Sequence, residues 1–117
     1  MDQSGVRVRV EVRPAGVGVG VVTIGGELDH DGVGLLEEAV GSLREQDVHR
    51  LLLDLSELTF MDSSGVNAFL RAQRGSRAGG GWVRLANPQP SVLRVIELVG
   101  LGEAIPLYPT VGDALAA

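Results

Sequence analysis

The sequence predicts an α/β fold: one mixed, mainly parallel β-sheet with an N-terminal β-hairpin and flanking helices. Two observations carry that expectation. "VRVRVEV", Val6 to Val12, alternates strictly between apolar and charged residues, which is the period of a strand with one buried face. Further on, apolar runs alternate with segments whose apolar residues recur at helical spacing, the pattern of parallel strands joined by right-handed crossovers.

Taken in order, the first strand turns through "RPAG" into an antiparallel partner over Val17 to Gly25. "DHDGVGLLEEAVGSLREQD" then places Val33, Leu36, Val40 and Leu43 at 3, 4 and 3 spacing, an amphipathic helix with an Asp near its start. "LLLDLS", Leu51 to Ser56, is continuously apolar apart from Asp54, as expected of a strand covered on both faces. A carboxylate in such a strand needs a hydrogen-bond partner near the strand end, because an unpaired buried charge is costly. After "TFMDSSG", Val66, Phe69, Leu70 and Gln73 share one helical face, and "AGGG" ends that helix. "WVRLA", Trp82 to Ala86, is another strand. In "NPQPSVLRVIELVG", Ser91 is a candidate cap and Val92, Val95, Ile96 and Val99 form the apolar face. "AIPLY" suits an edge strand, where Pro106 is tolerated, and "PTVGDALAA" a last short helix beginning near Thr110. The order is β-β-α-β-α-β-α-β-α, with no internal repeat or linker, so residues 1–117 are read as one domain.

Composition narrows the function. The chain has 117 residues and is 44% hydrophobic but only 3% aromatic, so its core is built from aliphatic side chains. It has no cysteine, which excludes disulfides and thiolate metal sites. Net charge is −5 and all ten basic residues are Arg, scattered except for Arg71, Arg74 and Arg77 at helical spacing. An acidic domain without aromatic platforms is a poor binder of DNA or RNA. "MDQSGVRVRVEV" lacks a signal-peptide core and no apolar run approaches a membrane span, so a soluble cytoplasmic protein without membrane attachment is expected.

Several chemistries can be weighed. A hydrolase could nominate Ser64 as nucleophile, His30 or His49 as base and Asp29 or Asp54 as orienting acid, but "MDSSGV" is not a G-x-S-x-G elbow. No catalytic residue is therefore assigned. "DHD", Asp29 to Asp31, is too small a set for a metal site and reads as a polar loop before the first helix. "GVGVG" lies in the hairpin rather than before a helix, and "GGGW" lacks the Lys of a phosphate loop, so no cofactor is expected. What remains is "DSSG". Either Ser63 or Asp62 can cap the following helix, and on both readings the Ser64 hydroxyl has no structural duty. A phosphate there would add about −1.5 to −2 charges at a helix N-terminus, whose dipole favours anions.

These residues carry a resemblance. "GELDH" (Gly26 to His30), "LLLDLSELTFMDSSGV" (Leu51 to Val66) and "LVGL" (Leu98 to Leu101) are similar to the anti-sigma factor antagonists, single STAS domains of bacteria. The similarity extends over nearly the whole chain, and DSSG between an apolar strand and a helix is its specific part. It implies that Ser64 is phosphorylated by a cognate anti-sigma factor, an ATP-binding, kinase-like protein. It further implies that Asp62, Ser63 and Gly65 shape the docking surface around Ser64, with Asp29 close to the phosphoacceptor. The resemblance implies a partner switch: the unphosphorylated form binds the anti-sigma factor and frees a sigma factor, the phosphorylated form lets go, and a serine phosphatase restores it. The alternative within the same resemblance is a scaffold or accessory module of a stress-sensing or lipid- or anion-transport complex.

Overall fold

The computed structural model describes residues 6–117; the share of the single-domain reading that covers residues 1–5 lies outside the described residues. Five strands form one sheet in the order β1-β2-β3-β4-β5. β1 (Val8–Pro14) pairs antiparallel with β2 (Val19–Leu28), and β3 (Arg50–Met61), β4 (Trp82–Ala86) and β5 (Leu107–Tyr108) follow in parallel. The connections are α1 (Val33–Glu45), α2 (Ser63–Ala78) and α3 (Pro90–Val99), the last followed by a 3₁₀ turn at Leu101–Glu103; α4 (Val111–Ala116) follows β5. This is the mixed, mainly parallel α/β sheet that the sequence predicts.

Strand order rises steadily, so crossovers of one hand carry the helices to one side. The main core accordingly joins Leu36, Val40 and Leu43 of α1, Phe69 and Ala72 of α2, and Val92 and Ile96 of α3 to Ile24, Leu51, Leu53 and Leu85 of the sheet. A smaller cluster of Val21, Leu52 and Ala86 is covered by Ala114 of α4. Val33 and Val95, on the predicted helical stripes, pack at the margin of the main core.

Three local expectations are corrected. The first strand starts at Val8 rather than Val6 and runs to Pro14, because the turn is made by Gly16 and Gly18, both at positive φ (130° and 72°). β3 does not stop at Ser56 but continues to Met61, since β2 runs beside it through two register shifts, between Thr23 and Gly25 and between Gly26 and Glu27. Ser91 is not the cap of α3. Pro90 takes the first turn, Gln89 occupies the cap position with no side-chain bond to the helix, and the Ser91 hydroxyl donates to Thr59 O at 3.0 Å. Thr110 caps α4 through Asp113 N at 3.0 Å. Asp54 has its partners: Ser56 N donates to Oδ1 at 3.1 Å and Thr23 Oγ1 lies 3.5 Å from Oδ2.

Candidate functional site

β2 and β3 end side by side. Leu28 stands opposite Met61, and Asp62 N donates to Leu28 O at 3.4 Å. The chain leaves the sheet through Asp29 from one strand and Asp62 from its neighbour. "GELDH" and "MDSSG", 33 residues apart at those two aspartates, are thereby brought to one end of the sheet. It is the carboxyl end of parallel strands, where open α/β sheets collect their ligands.

Asp62 decides the capping question. Its backbone is extended (φ −107°, ψ −170°), and Oδ1 accepts Ser64 N at 2.9 Å and Gly65 N at 3.4 Å. Ser63 as the cap is therefore excluded: it occupies the first helical position and is exposed. One turn and two turns further along the same face stand Asn67 and Arg71, both exposed, and Arg71 pairs with Glu37 of α1 at 2.9 Å. Ser64 is half-buried, and among the described residues its hydroxyl has no protein hydrogen bond.

Gly65 has a steric reason. A Cβ there would lie 2.6 Å from Met61 Cγ and 3.1 Å from Leu28 Cδ2, so a side chain would lift the first turn of α2 off the strand ends. The glycine of DSSG thus sets how closely the serines approach the sheet. Asp29 works on the other loop. Its Oδ1 accepts Asp31 N and Gly32 N, both at 3.1 Å, and its carbonyl accepts Val33 N at 3.1 Å. It folds the loop onto the start of α1, whose own cap residue, Gly32, makes no side-chain bond. His30 and Asp31, at the loop tip, are exposed.

The electrostatic setting is more crowded than a bare helix end. The N–H groups of Ser64 and Gly65 already face the Asp62 carboxylate, so an anion on Ser64 would meet that carboxylate as well as the favourable dipole. Phe60 is a neighbour that the sequence reading does not single out. It is 48% exposed, a large apolar side chain one residue before the strand ends. Its signal lies in the broken alternation of β3: Leu58 and Met61 both point inward, leaving Thr59 and Phe60 outside between them.

The residues that a hydrolase would need are not assembled from the His49 side. His49 precedes β3, its carbonyl accepts Trp82 N at the opposite end of the sheet, and its Nε2 lies 3.0 Å from Asp47 Oδ1. A strand of β3's length separates it from Ser64. Among the described residues there is no group of three or more His, Asp or Glu placed to hold a metal ion. Among them also, no helix is long and apolar enough to cross a membrane.

Fold and site together define a small α/β domain that presents a capped helix and two serines at the carboxyl edge of its sheet. The family model described as STAS domain matches residues 7–114, and the chain belongs to that family. The anti-sigma-F factor antagonist RsfB of Mycobacterium tuberculosis is 34% identical over 84% of this chain and 80% of its own length. An anti-sigma factor antagonist from Mycobacterium paratuberculosis superposes with a TM-score of 0.83 at 31% identity, covering 93% of this chain and 92% of that one. The anti-sigma factor antagonist SpoIIAA, in its unphosphorylated form, gives a TM-score of 0.79 at 30% identity, covering 92% and 93%. The phosphorylated form of SpoIIAA from Bacillus gives 0.72 at 28% identity, covering 92% and 97%.

Proposed function

We propose that this protein is an anti-sigma factor antagonist whose switch is Ser64. The unphosphorylated form binds a kinase-like anti-sigma factor and so frees a sigma factor. Transfer of the γ-phosphoryl of ATP to Ser64 Oγ, with ADP leaving and the hydroxyl proton lost, ends that binding. A serine phosphatase in the same cytoplasm returns the phosphate to water and restores the binding form. The chain acts as a single STAS domain, with Asp29, Asp62, Ser63, Ser64 and Gly65 forming the contact surface.

The carrying observation is the division of labour at the start of α2. Asp62 does the capping, Gly65 sets the approach to Leu28 and Met61, and among the described residues the hydroxyls of Ser63 and Ser64 are both left without a protein partner, Ser64 being the one that the resemblance marks as phosphoacceptor. Modification at such a position leaves the fold's bonds in place and changes only the surface. The dianion would add to the Asp62 carboxylate beside it, so an acidic or closely packed partner surface would be repelled or would have to strip water from both charges. That the relative SpoIIAA exists in phosphorylated and unphosphorylated forms supports the same reading.

The test is incubation with the cognate kinase-like partner and ATP, followed by mass spectrometry and calorimetric binding. Phosphate on Ser64 and loss of binding is the expected result. Phosphate on Ser63 alone, or undiminished binding by protein fully phosphorylated at Ser64, would overturn it. A hydrolase would instead show Ser64 labelled stoichiometrically by a fluorophosphonate probe.

A further inference from the structure

We propose that Phe60 is the apolar anchor of the anti-sigma factor contact, and that the partner straddles the carboxyl edge of the sheet to reach both Phe60 and Ser64. The inference rests on the Ser64 reading above and names a further residue of that same site.

The chain has two Phe, one Trp and one Tyr. Phe69 is fully buried. Trp82 lies under the Arg84 guanidinium, 3.8 Å from carbon to ring centroid, and packs with Tyr108 against the small cluster below α4. Phe60 belongs to neither core cluster and is 48% exposed.

The backbone beneath that ring is held. Gly26 stands opposite Leu58 and Glu27 opposite Phe60, so Thr59 is the extra residue of a bulge. Its hydroxyl donates to Gly26 O at 3.0 Å, and its carbonyl accepts the Ser91 hydroxyl at 3.0 Å. Met61 faces the main core, so Phe60 and its neighbour Glu27 point to the opposite face. A ring with few rotatable bonds on a fixed backbone loses little freedom when a partner covers it.

The surroundings state the chemistry of what covers it. Beside the ring stand Glu27, paired with Arg7 at 3.2 Å, and, two residues along the chain, the Asp62 carboxylate. An apolar ring within a charged border is the make-up of an interface centre, and it calls for an aliphatic socket with a polar rim. Distance commits that socket to the kinase-like partner. Phe60 lies four residues before Ser64, so their Cα atoms are at most about 15 Å apart. An interface of about 800 Å² per side is roughly 30 Å across, and one centred on Ser64 covers Phe60. The ring is buried only if the two surfaces close without water. A phosphate on Ser64, inside that radius, keeps water between them.

The test joins phosphorylation kinetics to calorimetric binding, with the purified kinase-like anti-sigma factor and ATP. Phe60→Ala should raise KM for this protein roughly 30-fold and leave kcat within about twofold, because the ring faces away from the hydroxyl that reacts. In the Ser64→Ala background the same change should weaken binding by roughly the same factor, which separates docking from chemistry. Phe60→Leu should recover most of the loss. Phe60 ring resonances of the unsubstituted protein should shift on complex formation, a reading that needs no variant to fold. Unchanged KM and binding in Phe60→Ala, a fall confined to kcat, or ring resonances indifferent to the partner would overturn the anchor and leave Ser64 phosphorylation standing. Absence of phosphate from Ser64 in the parent would overturn both.

Discussion

Asp62→Ala is the substitution that separates capping from signalling. In the structure one carboxylate oxygen serves two helix N–H groups, at 2.9 and 3.4 Å. Truncation leaves both to water in a half-buried position and also removes a negative charge from the positive end of α2. Loss of an Asp cap costs about 1 kcal/mol, within a range of roughly 0.5–2. The missing charge adds about 0.3–1 kcal/mol at low ionic strength. The expected cost is therefore about 1.5 kcal/mol, which for a domain of this size lowers the melting temperature by roughly 5–8 °C. Asp62→Asn keeps the acceptor and should lose only the charge contribution, a difference that added salt should shrink. Ser63→Ala removes no bond and should stay within about 0.5 kcal/mol of the parent. Urea unfolding followed by circular dichroism, supported by calorimetry, measures all three. Equal losses for Ser63→Ala and Asp62→Ala, or a silent Asp62→Ala, would refute the assignment of the cap.

Ser64→Ala should abolish phosphorylation, retain partner binding and leave stability within about 0.5 kcal/mol, checked by mass spectrometry and unfolding. Ser64→Asp and Ser64→Glu should fold but bind the anti-sigma partner roughly 100-fold more weakly, about 2.7 kcal/mol by calorimetry. Gly65→Val should destabilise by about 1–3 kcal/mol or more, because its Cβ would sit 2.6 Å from Met61 Cγ; a Gly65→Val protein as stable as the parent in urea would contradict the packing described. Ser76 is fully buried in α2 and its hydroxyl has no partner among the described residues, so Ser76→Ala should raise stability by about 1 kcal/mol, through relief of that group and better helix propensity, and a lower urea midpoint would count against it.

Helical stripes such as Leu36, Val40 and Leu43 were legible because one periodicity names both the helix and its buried face. "WVRLA" was legible to the residue, a short apolar run between glycines and a proline-rich loop. The far half of β3 was not. Its alternation breaks at Thr59 and Phe60, where β2 beside it changes register, and no pattern within "ELTFM" records what the neighbouring strand does. The cap was ambiguous for a related reason: Asp62 and Ser63 are both good capping residues, and only the backbone angles at Asp62 choose between them. The serine pair was visible as a candidate site from its position alone. The need for Gly65 was not, since Leu28 and Met61 become its floor only once two strands end together.

The overhang of β3 has a mechanical consequence. β4 accompanies it only from Arg50 to Asp54; beyond that, on the β4 side, Gln89 Nε2 holds Ser56 O at 2.8 Å and the Ser91 hydroxyl holds Thr59 O. The root of the strand is clamped on both sides by main chain; its tip keeps its main-chain pairing to β2 as far as Met61, but toward β4 it is tethered by two side chains that can let go singly. A push on Asp62 and the first turn of α2 therefore loads the β2 ladder and, through Gln89 and Ser91, α3 as well. The exposed Leu98 and Val99 at the far end of α3 stand on the element that takes that second share of the load.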